Sequence, residues 1–300
     1  MTSYRVTGWR GLQRAQGCGV VREHEPRQQK QHKQQVVWKV ARLLDLFTPE
    51  RPEWRVGEVA AALEVPKTTA SELMTTLAEQ RLLRRTEGGR YRLGWRLFEL
   101  SQNLLDTTEF RTEAKGTIEE LVRRYGETVH LAVLDNMQAV YIEKQQPTPA
   151  VKILASRAGG RLHAHCCGVG KVLLSACEWE LVEQALEHQG MPAFTPNTIV
   201  TPEALKEELR GIRSRGYAFD LEEALQGLCC VAAPVRDATG EVVAALSISA
   251  PAFRFEEREE EYTRAVLEAA GRISRSVGGE IRERPRDGNH GGHRMEGSRS

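Results

Sequence analysis

VGEVAAALEVPKTTASELMTTLAEQRLLRRTEGGRYRLG, residues 56–94, is the stretch whose reading decides the fold. It reads as helix, tight turn, helix and two-stranded hairpin. Val56, Val59 and Leu63 recur at helical spacing over 56–63. Pro66 is placed to open the second helix, where a missing N–H costs nothing. In that helix, 67–80, Ala70, Leu73 and Leu77 predict the core stripe, with Met74 beside them. The outer residues are Lys67, Thr68, Thr69, Ser71, Glu72 and Thr75, mostly short and able to hydrogen-bond, as a helix laid in a DNA groove requires. Residues 82–86 and 91–93 predict strands around the turn Glu87-Gly88-Gly89-Arg90. The hairpin is basic, with Arg84, Arg85, Arg90 and Arg92, and Arg84, Arg85 and Arg90 are the candidate phosphate contacts. A helix pair that merely packs beside a solvated hairpin is the plain alternative. The basic hairpin favours a winged DNA-binding module.

Three hundred residues suggest about two domains. Lys and Arg number 42 against 41 Asp and Glu, so any nucleic-acid contact must come from a local patch. No apolar run is long enough to cross a bilayer, and the polar, basic N-terminus lacks the apolar core of a signal peptide. A cytoplasmic location and no membrane partner are therefore expected. There Cys18, Cys166, Cys167, Cys177, Cys229 and Cys230 stay reduced.

Outward from the central stretch, residues 36–47 predict an amphipathic helix with Val36, Val37, Val40, Leu43, Leu44 and Phe47 inward. The winged domain is thus 36–94. Residues 1–35, rich in Gln, Arg, Gly and His, read as a disordered basic extension or an over-extended start. Residues 95–107 predict a linker helix with Leu97, Leu100, Leu104 and Leu105 on one side and Phe98 beside them. Such a stripe needs a partner, and pairing with its twin would hold two wings at fixed spacing. The rest, 108–278, predicts an α+β domain on a mainly antiparallel sheet. Its elements are a helix over 108–125 stopped by Gly126, a hairpin of 128–134 and 139–144, and a strand over 151–155. Helices follow over 171–176, 178–188 and 202–215, with strands over 217–221, 228–236 and 241–249 and a closing helix over 255–277. Residues 279–300, Gly- and Arg-rich, read as a disordered tail.

The chain resembles the IclR (isocitrate lyase regulator) family of bacterial transcription factors. The match runs through Val65-Pro66-Lys67-Thr68-Thr69 and Tyr91-Arg92-Leu93-Gly94, then Leu162-His163-Ala164 and Gly168-Val169-Gly170-Lys171. It resumes at Arg215-Gly216-Tyr217-Ala218-Phe219-Asp220, Gly227-Leu228-Cys229-Cys230 and Ala244-Ala245-Leu246-Ser247-Ile248-Ser249. The resemblance implies a winged helix-turn-helix joined to a GAF-like effector-binding domain, working as a homodimer or dimer of dimers on double-stranded operator DNA. It implies no enzyme activity, and effectors that are small organic acids or aromatic compounds. Two positions depart from the family pattern: Glu72, where the family carries Arg, and Arg81, where it carries Gly. A carboxylate at 72 repels phosphate but can accept from cytosine N4.

By the same resemblance, the effector sits near Gly168 and Val169, with Asp220, Cys230, Ser247 and Ser249 around it. The residues give partial independent support. Ser247 and Ser249 are two apart on a strand and face one side, with Leu246 and Ile248 on the other. Gly168 and Gly170 flank a helix start, where free N–H groups can hold a carboxylate. The alternatives are a solvated strand face for the serines and core packing for Cys230. Rival chemistries are weaker. Gly168-Val169-Gly170-Lys171 is not a P-loop, which would need Gly at His165 and Ser or Thr at Val172, and no cofactor is expected. A metal sensor would draw on His163, His165 and the cysteines, but CxxC and HxxxH spacings are missing. A hydrolase assembled from Ser247, His165 and Asp220 has no GxSxG elbow.

Overall fold

The structure is a computed structural model that describes residues 31–147 and 157–278. It divides into two units between Thr112 and Glu113. The expected strand over 151–155, residues 1–30 of the expected extension and the tail 279–300 lie outside the described residues.

The first unit contains α1 (Gln31–Asp45), α2 (Val56–Ala62), α3 (Lys67–Glu79), β1 (Leu83–Arg85), β2 (Tyr91–Leu93) and α4 (Arg96–Asp106). Helix α1 starts at Gln31, inside the stretch read as disordered. Its Leu43 is fully buried among Val59, Leu63, Ala70, Met74, Leu77 and Leu83. Val36 and Val37, expected inward, are exposed, because only the C-terminal half of α1 reaches this small core. In α3 the stripe is Ala70, Met74 and Leu77, with Leu73 only half-buried. The phase is thus i, i+4, i+7, as a helix resting on a close neighbour requires. Pro66 is the N-cap and not the first helical residue: its extended backbone (φ −55°, ψ 144°) leaves its carbonyl free to accept from Ala70 N–H at 3.1 Å.

Two contacts fix the hairpin. Trp54 and Tyr91 exchange both backbone hydrogen bonds, at 3.0 and 2.8 Å, in an isolated antiparallel bridge on the outer edge of β2. Gly94 N–H donates to Leu82 O at 2.8 Å, and a Cβ there would lie 2.0 Å from the Arg81 carbonyl oxygen, so only glycine fits. Helix α4 carries Trp95 at its N-cap and exposes Phe98, Leu100 and Leu104; none of its residues is buried.

The second unit is built on one six-stranded antiparallel sheet, in the order β5-β4-β3-β8-β7-β6. These strands are β3 (Thr128–Asp135), β4 (Gln138–Gln145), β5 (Arg161–His163), β6 (Ala218–Leu221), β7 (Leu228–Arg236) and β8 (Val242–Pro251). Helix α5 (Glu109–Tyr125) spans the boundary between units. Asn136 and Met137, both with positive φ, close the β3–β4 hairpin. Helix α6 (Gly168–Ser175) packs on one face of the sheet, with α7 (Trp179–Gln189) and α8 (Pro202–Arg215) behind it. Helix α9 (Ala252–Ser276) covers the other face, where Phe255 meets Phe219 edge-on and Tyr262 meets Tyr125 of α5. The ends of α8 follow the sequence signals: the Thr201 side chain caps Ala204 N–H, Pro202 opens the first turn, and Gly216 closes it at φ +87°. Helix α6 begins three residues earlier than expected. The glycines that read as its flank lie in its first turn, because a Cβ at Gly170 would lie 2.4 Å from the Ala164 backbone.

Arg81 ends α3 in the left-handed region, φ +61°. Its N–H donates to Ala78 O, and Leu82 N–H donates to Leu77 O, both at 2.9 Å. The geometry is that of a glycine-terminated helix carried by a residue with a Cβ. Arg81→Gly should therefore stabilise the first unit by about 0.5–1 kcal/mol, the strain relieved less the backbone entropy glycine adds to the unfolded chain. A urea melt of the two proteins checks this; a lower midpoint for the glycine variant would contradict it.

Candidate functional sites

The first candidate surface is α3 and the hairpin. Lys67, Thr68, Ser71, Glu72 and Thr75 are exposed and Thr69 is half-buried, so the polar face of α3 is open. The hairpin is less uniformly basic than its sequence. Arg84 and Arg85 are exposed and, among the described residues, have no ion pair. Arg92 Nε lies 2.5 Å from Glu53 Oε1, and Arg90 Nε lies 3.9 Å from Glu53 Oε2. Arg90, expected as a free phosphate contact, is thus partly neutralised within the chain. The cause is tertiary: the Trp54–Tyr91 pairing sets Glu53 beside Arg92.

The second candidate site lies between α6 and the sheet. In register, Asp220 pairs with Cys230 and Cys230 with Ser249, while Ser247 pairs with Ala232 and His130. Antiparallel partners share a face, so Asp220, Cys230, Ser247, Ser249 and His130 all point toward α6, and all are buried. Val169 is buried above them. A Cβ on Gly168 would lie 2.8 Å from Cys230 Sγ, so the missing side chain sets how closely α6 approaches β7. Burial pushes the Cys230 and Cys167 thiols up, and the backbone N–H groups of Gly168 and Gly170 partly oppose that push.

Burial governs the charge states here. It pushes the Asp220 carboxyl up to about 7, with Glu223 adding repulsion and the N–H groups of Glu223 and Ala224 opposing it. Those amides donate to Asp220 Oδ1 at 2.7 and 3.3 Å. Burial drops the His130 imidazole to about 3, so the ring is neutral. Its Nδ1 lies 3.4 Å from Ser249 Oγ, its ring is tilted against Tyr141 with centroids 4.9 Å apart, and its Nε2 is buried without a hydrogen-bond partner. Lys171, only 2% exposed, donates to Glu223 Oε1 at 2.5 Å and lies 3.6 Å from Glu208. His130, Tyr141 and the Lys171–Glu223 pair were not foreseen as parts of this site. The in-phase positions Thr128, His130 and Ala132 on β3 were the available signal for His130.

The rival chemistries find no geometry. His163 and His165 stack edge-on with centroids 5.6 Å apart, and Phe194 packs against both. His165 Nε2 meets Pro192 O at 3.2 Å and not Ser247. Among the described residues no group of three His, Cys, Asp or Glu side chains is arranged to hold a metal ion. Burial drives the thiols of Cys166, Cys167, Cys229 and Cys230 upward, which keeps them protonated and unreactive.

Residues 36–87 match the IclR helix-turn-helix domain, and residues 102–275 match the C-terminal domain of the bacterial transcriptional regulator IclR. The chain belongs to the IclR family. It is 37% identical over 246 residues to the HTH-type transcriptional regulator XynR of Escherichia coli, covering 81% of this chain and 97% of that one. It is 33% identical to the transcriptional repressor IclR of the same organism, covering 79% and 88% of the two chains. Among solved structures, IclR of Thermotoga maritima is 33% identical, with a TM-score of 0.65 over 82% of this chain and 99% of that one. An IclR homologue from Microbacterium hydrocarbonoxydans, complexed with 4-hydroxybenzoate, is 28% identical, with a TM-score of 0.72 over 81% and 98%. Like other IclR-family proteins, this chain is a DNA-binding regulator of transcription and not an enzyme. Its fold is α+β, as expected, and no described helix is long and apolar enough to cross a membrane.

The raised Asp220 carboxyl carries a signed prediction. An acid whose folded pKa exceeds its unfolded one contributes stability that is complete below the unfolded value and is lost as pH rises through the folded value. Asp220→Asn keeps the acceptor for the two amides and removes the charge. Its melting temperature should match wild type near about pH 3 and exceed it near about pH 8, the gap opening between the unfolded value of about 4 and the folded value of about 7 and levelling off above it. A gap that does not change with pH would refute this.

Proposed function

We propose that this regulator reads a small organic-acid or aromatic effector in the cluster of Gly168, Val169, Asp220, Cys230, Ser247 and Ser249, and that occupancy there sets its affinity for operator DNA. The observation that carries this reading is the convergence of Asp220, Cys230, Ser247 and Ser249 on one buried sheet face, under the first turn of α6. Buried polar groups are costly unless something bonds them, so a face this polar is suited to a polar ligand. The 4-hydroxybenzoate of the Microbacterium relative is both an acid and an aromatic, and it is a sensible first probe.

On the DNA side, α3 enters the major groove through Lys67, Thr68, Thr69, Ser71, Glu72 and Thr75. Arg84, Arg85 and, more weakly, Arg90 hold phosphates. The chain works as a homodimer or dimer of dimers, since the apolar residues Phe98, Leu100 and Leu104 are exposed on α4 and two half-sites require fixed spacing. The domains follow the same division: a winged module over 36–94, a linker and dimerisation helix over 95–107 and an effector domain over 108–278. Repression is the sense of regulation that two relatives carry in their names.

Two outcomes check this reading. Ser249→Val should remove the thermal stabilisation given by an effector found in a screen of small acids, while DNA binding persists. A ligand at about 100 times its Kd adds about 2.7 kcal/mol, a clear shift to lose. Retention of that shift would place the effector elsewhere. Arg84→Ala should weaken binding to every duplex alike and lower the slope of log affinity against log salt by about 0.9, one phosphate's worth. An unchanged slope would remove Arg84 from the interface.

A further inference from the structure

The hairpin that is proposed to hold phosphates contains its own anion. On β1 and β2 Arg84 pairs with Arg92, and the isolated Trp54–Tyr91 bridge brings Glu53 to the far side of Arg92. These side chains, with Arg85 and Arg90, line one shallow depression of about 620 Å³. Like charges set directly opposite on a sheet repel, and Glu53 offsets that repulsion with one carboxylate oxygen toward each of Arg92 and Arg90. Glu53 is only partly exposed and is held by backbone pairing on its C-terminal side, so its carboxylate is preplaced and not a passing surface contact.

We infer that Glu53 acts as an internal competitor for DNA phosphate and sets the sequence-independent, salt-dependent part of the winged module's affinity for DNA. An arginine already paired with a carboxylate neutralises no phosphate, so the DNA keeps its condensed counterion there and the arginine adds little to the salt-dependent part of binding. Non-specific affinity comes almost wholly from that part, whereas base contacts from α3 do not depend on it. Holding Arg92, and in part Arg90, out of the phosphate count lowers affinity for arbitrary DNA. Operator and non-operator duplexes lose that contribution alike, so Glu53 sets the strength and salt dependence of binding and not its sequence preference. The inference rests on the reading of the hairpin as a phosphate-contacting wing, and the test separates the two.

The test uses the full chain and a mixed-sequence DNA duplex, with affinity measured across a salt series. Glu53→Gln keeps the shape and removes the charge. It should steepen the log–log slope by about 1 to 2, so that about three- to fourfold more affinity per added phosphate is lost between about 50 and 200 mM salt. Arg92→Gln should leave the slope of the otherwise wild-type chain unchanged, yet remove most of the gain when combined with Glu53→Gln. Should Glu53→Gln fail to fold, Arg92→Gln against Arg84→Gln still decides: only the second should lower the slope, and equal losses overturn the inference. Salt-dependent binding by wild type with an identical slope in a folded Glu53→Gln also overturns it. If instead neither Arg84→Gln nor Arg85→Gln changes the wild-type slope, the wing reading itself fails.

Discussion

The close approach of α6 to β7 is the constraint on which the effector-domain architecture depends. At Gly168 a side chain would strike Cys230, and at Gly170 it would strike the Ala164 backbone. Without those Cβ atoms the helix settles deep enough to bury every residue from Gly168 to Leu174, including the charged Lys171. A buried ammonium costs several kcal/mol unless it is paired. Glu223 provides the pair, and the Glu223 amide in turn donates to Asp220. One packing decision thus fixes a helix, a buried ion pair and the orientation of the carboxyl that faces Cys230 and the serines. Replacing either glycine would move all three together.

The first unit has a smaller counterpart. Gly94 packs against the Arg81 carbonyl, and Trp54 pairs with Tyr91, so two loop segments distant in sequence lock the hairpin onto α3. The same bridge that ties the loop before α2 to the hairpin delivers Glu53 to the arginines. Mechanical support and electrostatic tuning therefore have one origin here. Removing Glu53 costs little in cohesion, since partly exposed ion pairs are worth at most about 1 kcal/mol. Its weight falls on the field the hairpin presents.

Local signals made much of the architecture legible. The bounds of α8 and β7 coincide with those read from the sequence because an N-cap threonine, a proline, a C-terminal glycine and a long apolar run state them outright. The shared face of Ser247 and Ser249 follows from the two-residue period of a strand. What was not legible depends on which strands are neighbours. His130 meets Ser249 across 119 residues because β3 lies beside β8, and no periodicity announces that order. Glu53 and Arg92 lie 39 residues apart, and the pairing that cancels their charges is tertiary. Glycine misled in one place. In α6 its role is close packing, which a sequence reads as a helix break, so the start of α6 was set three residues late.

A ligand shifts an equilibrium only by its differential affinity for the two states. The buried cluster supplies grounds for a large difference, because it is incompletely satisfied. His130 Nε2 and Glu223 Oε2 are buried without hydrogen-bond partners, and Asp220 is held where burial and Glu223 both oppose its charge. An unpaired buried polar atom costs about 1–3 kcal/mol, so this face pays a standing penalty that an apolar core would not. The imidazole and the hydroxyl of the His130–Ser249 pair carry two protons between them. A bond between the two consumes one and leaves the other to present, from Nε2 or from Oγ according to tautomer. Such a pair can meet either an acceptor or a donor on a ligand. If the proposed effector binds at this cluster, the arrangement of the second unit that lets it satisfy these groups gains their hydrogen bonds, and that gain would be the free energy available to bias DNA binding.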